Sequence, residues 1–231
     1  MDTVPRIRAA RWADKDHVAA LIADALHPSP LATWLIPDPH PRRRILTDVL
    51  AIWIEHAMFY GDIYLTDDAT AATVGFHRYR PIPPPANYPT RLSDAAGPHA
   101  DRFDLLDRLL AKERPTEPHY HLAFLAVHPT ARRSGRATAL LNHHRSRLDH
   151  VNVLSWTSTT TDAQNIHIRH GYTPQPTINL PEGPTLSTMR RNPRHHTPGQ
   201  PQPVPPQANE PAPFSGPLGR VAKYSGGTRE L

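Results

Sequence analysis

The stretch from His121 to Leu141, HLAFLAVHPTARRSGRATALL, decides the fold. Its first seven residues are almost all apolar and predict a buried strand, and its last part has the spacing of an amphipathic helix. Because the first amide groups of a helix have no partner within the helix, and the helix dipole is positive there, such an end favours an anion. Charged donors are added by the arginines of the turn, Arg132, Arg133 and Arg136.

The turn matches neither of two common phosphate-binding motifs. The Walker A pattern G-x-x-x-x-G-K-[ST] is absent, and a Rossmann fingerprint needs several glycines where this turn has only Gly135. The small side chains of Gly135 and Ala137 would let a ligand approach the backbone closely. An ordinary helix start with solvated arginines is the alternative to a phosphate site.

The rest of the chain alternates between helical and strand-like patterns, which predicts an α+β fold with helices flanking a largely antiparallel sheet. Two proline-punctuated stretches are expected to be loops, 27–41 around a short apolar turn and 80–89 in an extended conformation. Gly61 is expected to end the second helix. We expect helices over residues 14–25, 42–60, 101–112, 131–149 and 162–169, and strands over 4–10, 62–65, 71–79, 121–127, 151–157 and 185–189 and around 178.

Proline divides the chain into a folded part and a tail. The sequence has 28 prolines in 231 residues. Residues 193–231 are rich in proline and glycine and hold too few large apolar side chains to offset the entropy cost of ordering. We therefore predict one domain over residues 1–192 and a disordered tail over residues 193–231.

Charge and hydropathy exclude several classes of protein. The net charge is +5, and the basic residues form no clustered stripe, so no nucleic-acid partner is expected. No apolar run of about 18 residues is present, and charges near the N-terminus replace the apolar core of a signal peptide. We expect a cytoplasmic protein without a membrane partner.

The absence of cysteine excludes a disulfide framework, a Cys-ligated zinc and a cysteine nucleophile. The sequence has 16 histidines, which raises the question of a metal site. His143 and His144 are adjacent and point apart on a helix, while His167 and His170 have no third ligand near them in sequence. No metal is predicted.

Two elements of the sequence resemble the GNAT superfamily of N-acetyltransferases. The run Arg132-x-x-Gly135-x-Ala137, preceded by a strand that ends at Val127, matches the R/Q-x-x-G-x-G/A signature of that family. The run HIRHGY at 167–172 is similar to the Y-x-R-x-G-F/Y element near its C-terminal end. The resemblance covers about residues 4–191. The stretches HPSPLATWLIPDP and EPHYHLAFLAV look like an actinobacterial branch of the family.

The resemblance implies a mixed, mostly antiparallel sheet in which two central strands splay apart and hold acetyl-CoA, the co-substrate, between them. By this resemblance, the pantetheine arm pairs with the backbone of Leu125, Ala126 and Val127. Asn165 either hydrogen-bonds that arm or is an ordinary surface residue. The pyrophosphate would lie on the turn and the helix start, at Arg132, Arg133, Ser134, Gly135, Arg136, Ala137 and Thr138.

The resemblance also implies that an amine attacks the thioester directly. We expect His121 to be the general base, because it stands six residues before Val127, where well-studied relatives carry a glutamate. His119 is the second candidate for the general base. The alternative for both histidines is that they are surface residues at the start of the strand. His167 replaces the family's tyrosine, so its role as proton donor to the leaving sulfur is open, since a neutral imidazole is a poor acid.

These residues predict an N-acetyltransferase that acts on a small-molecule or peptide amine. The alternative is a degenerate domain that binds acyl-CoA as a sensor or interaction module. A homodimer is compatible with the sequence. We expect the acceptor pocket to form from Trp34, Ile36, Tyr79, the loop 81–88 and the C-terminal strands, and to suit a substrate that is not highly acidic.

Overall fold

The computed structural model describes residues 5–194, so almost all of the predicted tail lies outside the described residues. Helices and strands alternate along this part of the chain. The helices are α1 Lys15–Leu26, α2 Pro30–Leu35, α3 Pro39–Tyr60, α4 Tyr88–Ala96, α5 Ala100–Glu113, α6 Arg136–His150 and α7 Gln164–Arg169. The strands are β1 Ile7–Ala9, β2 Gly61–Thr66, β3 Ala71–Arg78, β4 His119–Val127, β5 Ser155–Thr160, β6 Thr173–Asn179 and β7 Thr185–Arg191.

The described strands form one seven-stranded sheet in the order β1-β2-β3-β4-β5-β7-β6. Neighbouring strands are antiparallel except for the parallel pair β4 and β5 at its centre. The larger core, which includes Val74 and Phe76, packs against α1, α3, α4 and α5. A smaller core on the other face packs Tyr120 and Leu122 against α6. The predicted mixed, mostly antiparallel sheet flanked by helices is confirmed.

A β-bulge divides β4 in two. Val74 of β3 pairs with Phe124, whereas the next residue, Gly75, pairs with Leu122, so that Ala123 is an extra residue. Because side chains alternate between the faces of a strand, an extra residue reverses the alternation beyond it. Leu122 and Leu125 accordingly belong to the same core, although three positions separate them.

The parallel pairing of β4 and β5 stops next to this bulge. Within residues 5–194 its register covers three pairs, from Tyr120 with Ser155 to Leu122 with Thr157, while both strands continue further. The Thr157 hydroxyl donates to the Leu122 carbonyl over 2.8 Å at the last pair. The two strands thus part at this point, and their backbones beyond it face an opening.

Two of the predicted loops contain helices. Residues 27–41 include α2, which Ser29 caps by accepting a hydrogen bond from the Ala32 amide, with Pro30 at the first helical position. The loop predicted over 80–89 ends early because α4 begins at Tyr88 and has Pro89 in its first turn. Proline breaks a helix in its interior, but in a first turn its missing amide costs no hydrogen bond.

Gly61 follows the last residue of α3, as expected. Its φ is −158°, an extended conformation with which β2 begins, so the residue does not end α3 in a left-handed cap. A Cβ at this position would lie 1.8 Å from the Gly75 carbonyl oxygen. Gly61 is therefore required by the close approach of β2 and β3.

Candidate active site

The opening between β4 and β5 lies directly before the arginine-rich turn. Residues 119–122 of β4 are buried, whereas beyond the bulge all but Ala126 are partly exposed. This part of β4 contains Leu125, Ala126 and Val127, the residues predicted to pair with an extended ligand. Backbone groups that no neighbouring strand satisfies can pair with a ligand in the same way that a peptide adds to a sheet edge.

The turn after β4 has the backbone geometry of an anion site. Arg133 and Gly135 have φ values of +62° and +77°, and α6 begins immediately after Gly135. No side chain caps this end of α6 within the described chain, so the amides of Arg136, Ala137 and Thr138 are available to a ligand. A Cβ on Gly135 would meet nothing within 4 Å. The left-handed conformation favours glycine here in addition to the close approach of a ligand that the sequence predicts.

The arginines of the turn have different partners. Arg136 forms an ion pair with Asp68 from the turn between β2 and β3, and this contact holds the pKa of Asp68 well below its usual value. Arg132 donates to the carbonyl of Ala25 at the end of α1 over 3.3 Å. Arg133 is exposed, as are Ser134 and Thr138. Arg132 and Arg133 are therefore freer than Arg136 to contact an anion.

His121 is a buried residue, with 8% of its surface exposed. Its ring centroid lies 4.8 Å from that of Trp156 and 6.1 Å from that of Phe76. Its Nδ1 is buried without a hydrogen-bond partner among residues 5–194. Burial, followed by the proximity of Arg114, Arg78 and His119, holds the pKa of His121 well below its ordinary value.

His119 lies on the same face of β4 and is also buried. Its Nδ1 donates to the Glu117 carbonyl over 2.8 Å in the tautomer that this contact favours, and its Nε2 is buried with no partner in the described part of the chain. Burial lowers its pKa as well. The alternative in which both histidines are surface residues is therefore wrong.

His167 lies on α7 and is buried against Tyr172, whose ring it meets edge-on at 5.3 Å. Burial lowers the pKa of His167 to about 4, so the ring is neutral near pH 7. Tyr172 belongs to the core on the α6 side, whereas His121 faces the other core, so the structure does not bring the two predicted catalytic rings together. Asn165, two residues earlier, is exposed.

The predicted acceptor pocket is only partly assembled. Ile36 is fully buried in the larger core, and the Trp34 indole donates to the Pro181 carbonyl over 2.8 Å, close to Gly183. A cavity of about 210 Å³ lies instead at the other end of β4, and its walls include Tyr79 and His119. Charged residues that the sequence analysis did not single out line the same cavity, namely Arg78, Arg80, Arg114 and Glu117.

Between residues 5 and 194, no three His, Asp or Glu side chains are grouped closely enough to hold a metal ion. No helix in that range has both the length and the apolar character needed to cross a membrane.

Comparisons with known proteins agree on one family. Residues 23–172 match the model of the acetyltransferase (GNAT) family. A structure from Corynebacterium glutamicum, described as histone acetyltransferase HPA2 and related acetyltransferase, is 23% identical, with a TM-score of 0.65 over 84% of this chain and 99% of its own. Arylalkylamine N-acetyltransferase 2 from Aedes aegypti is 13% identical, with a TM-score of 0.56 over 82% of this chain and 99% of its own.

Proposed function

The chain belongs to the acetyltransferase (GNAT) family, and on this premise we propose that it transfers an acetyl group from acetyl-CoA directly to an amine. One observation carries the proposal. The pairing of β4 with β5 ends at Leu122, and the same strand leads into a turn whose helix start has uncapped amides. An extended ligand with an anionic end matches this arrangement of unpaired backbone followed by anion donors.

The residues divide into two groups that would hold such a ligand. The backbone of Leu125, Ala126 and Val127 pairs with the pantetheine arm, and the exposed Asn165 on α7 donates a hydrogen bond to the same arm. The first amides of α6 bind the pyrophosphate, with Arg132 and Arg133 as charged donors. Arg136 acts mainly through Asp68, because their ion pair fixes the start of α6 to the turn between β2 and β3.

The acetyl thioester supplies the acyl group. The amine nitrogen forms a bond to the carbonyl carbon, the carbon–sulfur bond breaks, and the amine loses a proton. His121 accepts that proton, since burial keeps its ring neutral. Because the 231 residues include no cysteine, no acetyl-cysteine can form.

His167 has a more limited role than an acid. With a pKa of about 4 it holds no proton to release near pH 7. A neutral imidazole still has one N–H, and we assign His167 to donate a hydrogen bond towards the leaving sulfur. Solvent then supplies the proton that the thiolate takes up.

The test is thiol release from acetyl-CoA with a panel of amines, with acetyl-CoA affinity measured by calorimetry. Arg132→Ala should weaken acetyl-CoA binding about tenfold, since hydrogen bonds to charged groups contribute about 1.5–3 kcal/mol. His121→Gln should leave that affinity unchanged and lower the rate roughly 100-fold or more. Arg44→Ala, an exposed arginine paired with Asp48 on α3, is the matched control and should change neither quantity.

Two outcomes would overturn the proposal. Acetyl-CoA binding without thiol release for any amine would instead favour the acyl-CoA-binding module. Equal acetyl-CoA affinity in wild type and Arg132→Ala would show that binding does not depend on the turn and would place the ligand elsewhere.

A further inference from the structure

Two arginines meet at the end of the sheet that carries His121. Arg78 is the last residue of β3 and pairs in register with His119, the first residue of β4. Arg114 follows α5 and lines the same cavity as Arg78 and His119. The two guanidinium groups are close enough to affect each other and both histidines electrostatically.

Neither arginine has a counter-ion within the described part of the chain. The ion pairs formed among residues 5–194 include neither Arg78 nor Arg114. The Nε atoms of both are buried without a hydrogen-bond partner in the same part of the chain. Burial and the proximity of Arg114 lower the pKa of Arg78 to about 10. Two desolvated like charges side by side are unfavourable unless an anion joins them.

Two carboxylates act near the arginines, and each has another partner. Glu117 lines the cavity but forms an ion pair with Arg190 over 2.6 Å. Asp107 acts on Arg114 electrostatically, yet its carboxylate accepts a hydrogen bond from the Tyr88 hydroxyl, and burial raises its pKa to about 6. The chain around the cavity therefore supplies cations and leaves the anion to a ligand.

We propose that the acceptor is an amine that also carries an oxyanion, a carboxylate or a phosphate, which Arg78 and Arg114 bind while the amino group lies at His121. This inference rests on the proposed function, because it takes His121 as the base. Guanidinium groups bind both kinds of oxyanion through paired N–H donors. The sequence analysis expected an acceptor that is not highly acidic, and the present proposal instead gives the acceptor one anionic group at a fixed place.

The spacing along β4 limits the length of the acceptor. His119, beside Arg78, and His121 are two residues apart on one face, a distance of about 7 Å. An amine and an oxyanion that span this distance need several bonds between them. Acceptors with three or four methylene groups should therefore fit better than an α-amino acid.

A bound oxyanion would also make His121 a stronger base. The groups that lower its pKa, besides burial, are Arg114, Arg78 and His119. An anion between the two arginines offsets their charge and raises the pKa of His121 and of His119. The acceptor thereby improves the base that deprotonates it.

The first experiment measures anion binding without acetyl transfer. Imidazole resonances of His119 and His121 in the full chain are followed over pH with and without succinate, and separately with inorganic phosphate. We expect a bound anion to raise the apparent pKa of His119 by about one unit, a tenfold change in proton affinity. The shift should vanish in the double variant R78Q/R114Q and persist in Arg108→Gln, whose arginine pairs with Asp104 on α5. No shift in wild type, or an equal shift in R78Q/R114Q, would overturn the site.

The second experiment measures acceptor choice. Glycine, β-alanine, γ-aminobutyrate and 5-aminovalerate are each compared with their carboxamides, and phosphoethanolamine with ethanolamine. In wild type and in Arg108→Gln, we expect kcat/KM to be at least tenfold higher for the longer acids than for their carboxamides. In R78Q/R114Q we expect acid and carboxamide to have similar kcat/KM values. A preference for phosphoethanolamine over ethanolamine that exceeds the preference for acids over carboxamides would identify phosphate, and the reverse would identify carboxylate, as the anion that the site binds.

The two experiments separate two kinds of failure. If the histidine shift is seen but no amine is acetylated, the anion site stands and the proposed function fails. If amides are acetylated as fast as acids, the proposed function stands and the oxyanion inference fails. Unfolding by urea checks folding, and R78Q/R114Q should be at least as stable as wild type because it loses two unpaired charges.

Discussion

The two halves of β4 are one strand with two environments. The closed half, residues 119–122, pairs with β3 on one side and with β5 on the other, and all four of its side chains are buried. The open half, residues 123–127, keeps β3 but loses β5. The closed half is therefore held by packing, whereas the open half keeps unpaired backbone for a ligand.

Under the proposed function, the comparison explains how one strand serves two substrates. In the closed half, His119 lines the cavity with the arginines and His121 lies two residues further along the same face, so the proposed acceptor site is built from side chains. The open half offers backbone groups and leads into the uncapped start of α6, so the proposed site for the acetyl donor is built from the main chain. The bulge at Ala123 separates the two tasks.

The largest expected effect comes from crowding the closed half. In Gly75→Ala the new Cβ would lie 2.1 Å from the ring of Tyr120, which is 2% exposed and cannot move aside. We expect the free energy of unfolding to fall by about 3 kcal/mol, the upper range for overpacking. Urea unfolding measures it.

A double-mutant cycle is the control for this crowding. Adding Tyr120→Leu to Gly75→Ala removes the clash, so the loss in the double variant should be smaller than the sum of the single losses. Additive losses would show that Gly75 matters for a reason other than the Tyr120 ring.

A smaller effect is expected from a titrating group beneath the closed half. His144 on α6 is buried, contacts Ser155 at 3.1 Å and Tyr172 at 3.0 Å, and burial lowers its pKa to about 3. Below pH 6.5 the His144 imidazole binds a proton in the unfolded chain but stays neutral in the folded chain. The free energy of unfolding therefore falls as the pH falls. His144→Gln should reduce the loss between pH 7 and pH 5 by about 2 kcal/mol.

Urea unfolding at several pH values measures this difference. His150→Gln, at the exposed end of the same helix, is the matched control for loss of an imidazole. An equal change in the two variants would contradict the assignment to buried His144.

The smallest effect on stability is expected in the turn that follows the open half. Gly135→Ala forces a side chain into a φ of +77°, which costs about 1 kcal/mol, and it disturbs the first amides of α6. Acetyl-CoA should bind about fivefold more weakly by calorimetry. Gly135→Asn, a residue that tolerates this conformation, should retain most of the affinity. If both variants bind like wild type, the turn does not hold the pyrophosphate.

The sequence predicts the open half better than the closed half for a physical reason. The strand, the turn and α6 are consecutive, so one continuous segment from Leu125 to Thr138 carries all the information. The cavity draws Arg78 from the end of β3 and Arg114 from the loop after α5. The register of β3 with β4 places Arg78 beside His119, and the position of α5 brings Arg114 to the same cavity. No pattern in the sequence predicts that these two arginines lie close together.

Local chemistry also misled in two places. The prolines in 80–89 hid α4, since proline both breaks helices and starts them. The bulge could not be predicted from HLAFLAV. A bulge shows in a sequence as a break in the alternation of apolar and polar residues, and an unbroken apolar run has no such alternation. The mixed sheet was predictable because its strands and helices each carry a strong pattern of their own.

The extra residue at Ala123 has a consequence for the history of the gene. Ala123 and Phe124 both pack on the α1 face, so loss of the Ala123 codon would leave Leu125 on the α6 face and Phe124 and Ala126 on the α1 face. The pairing of β4 with β3 would become regular, and no side chain would change face. One codon can therefore add or remove the bulge in a descendant without rebuilding either core, and what changes is the local twist of the strand.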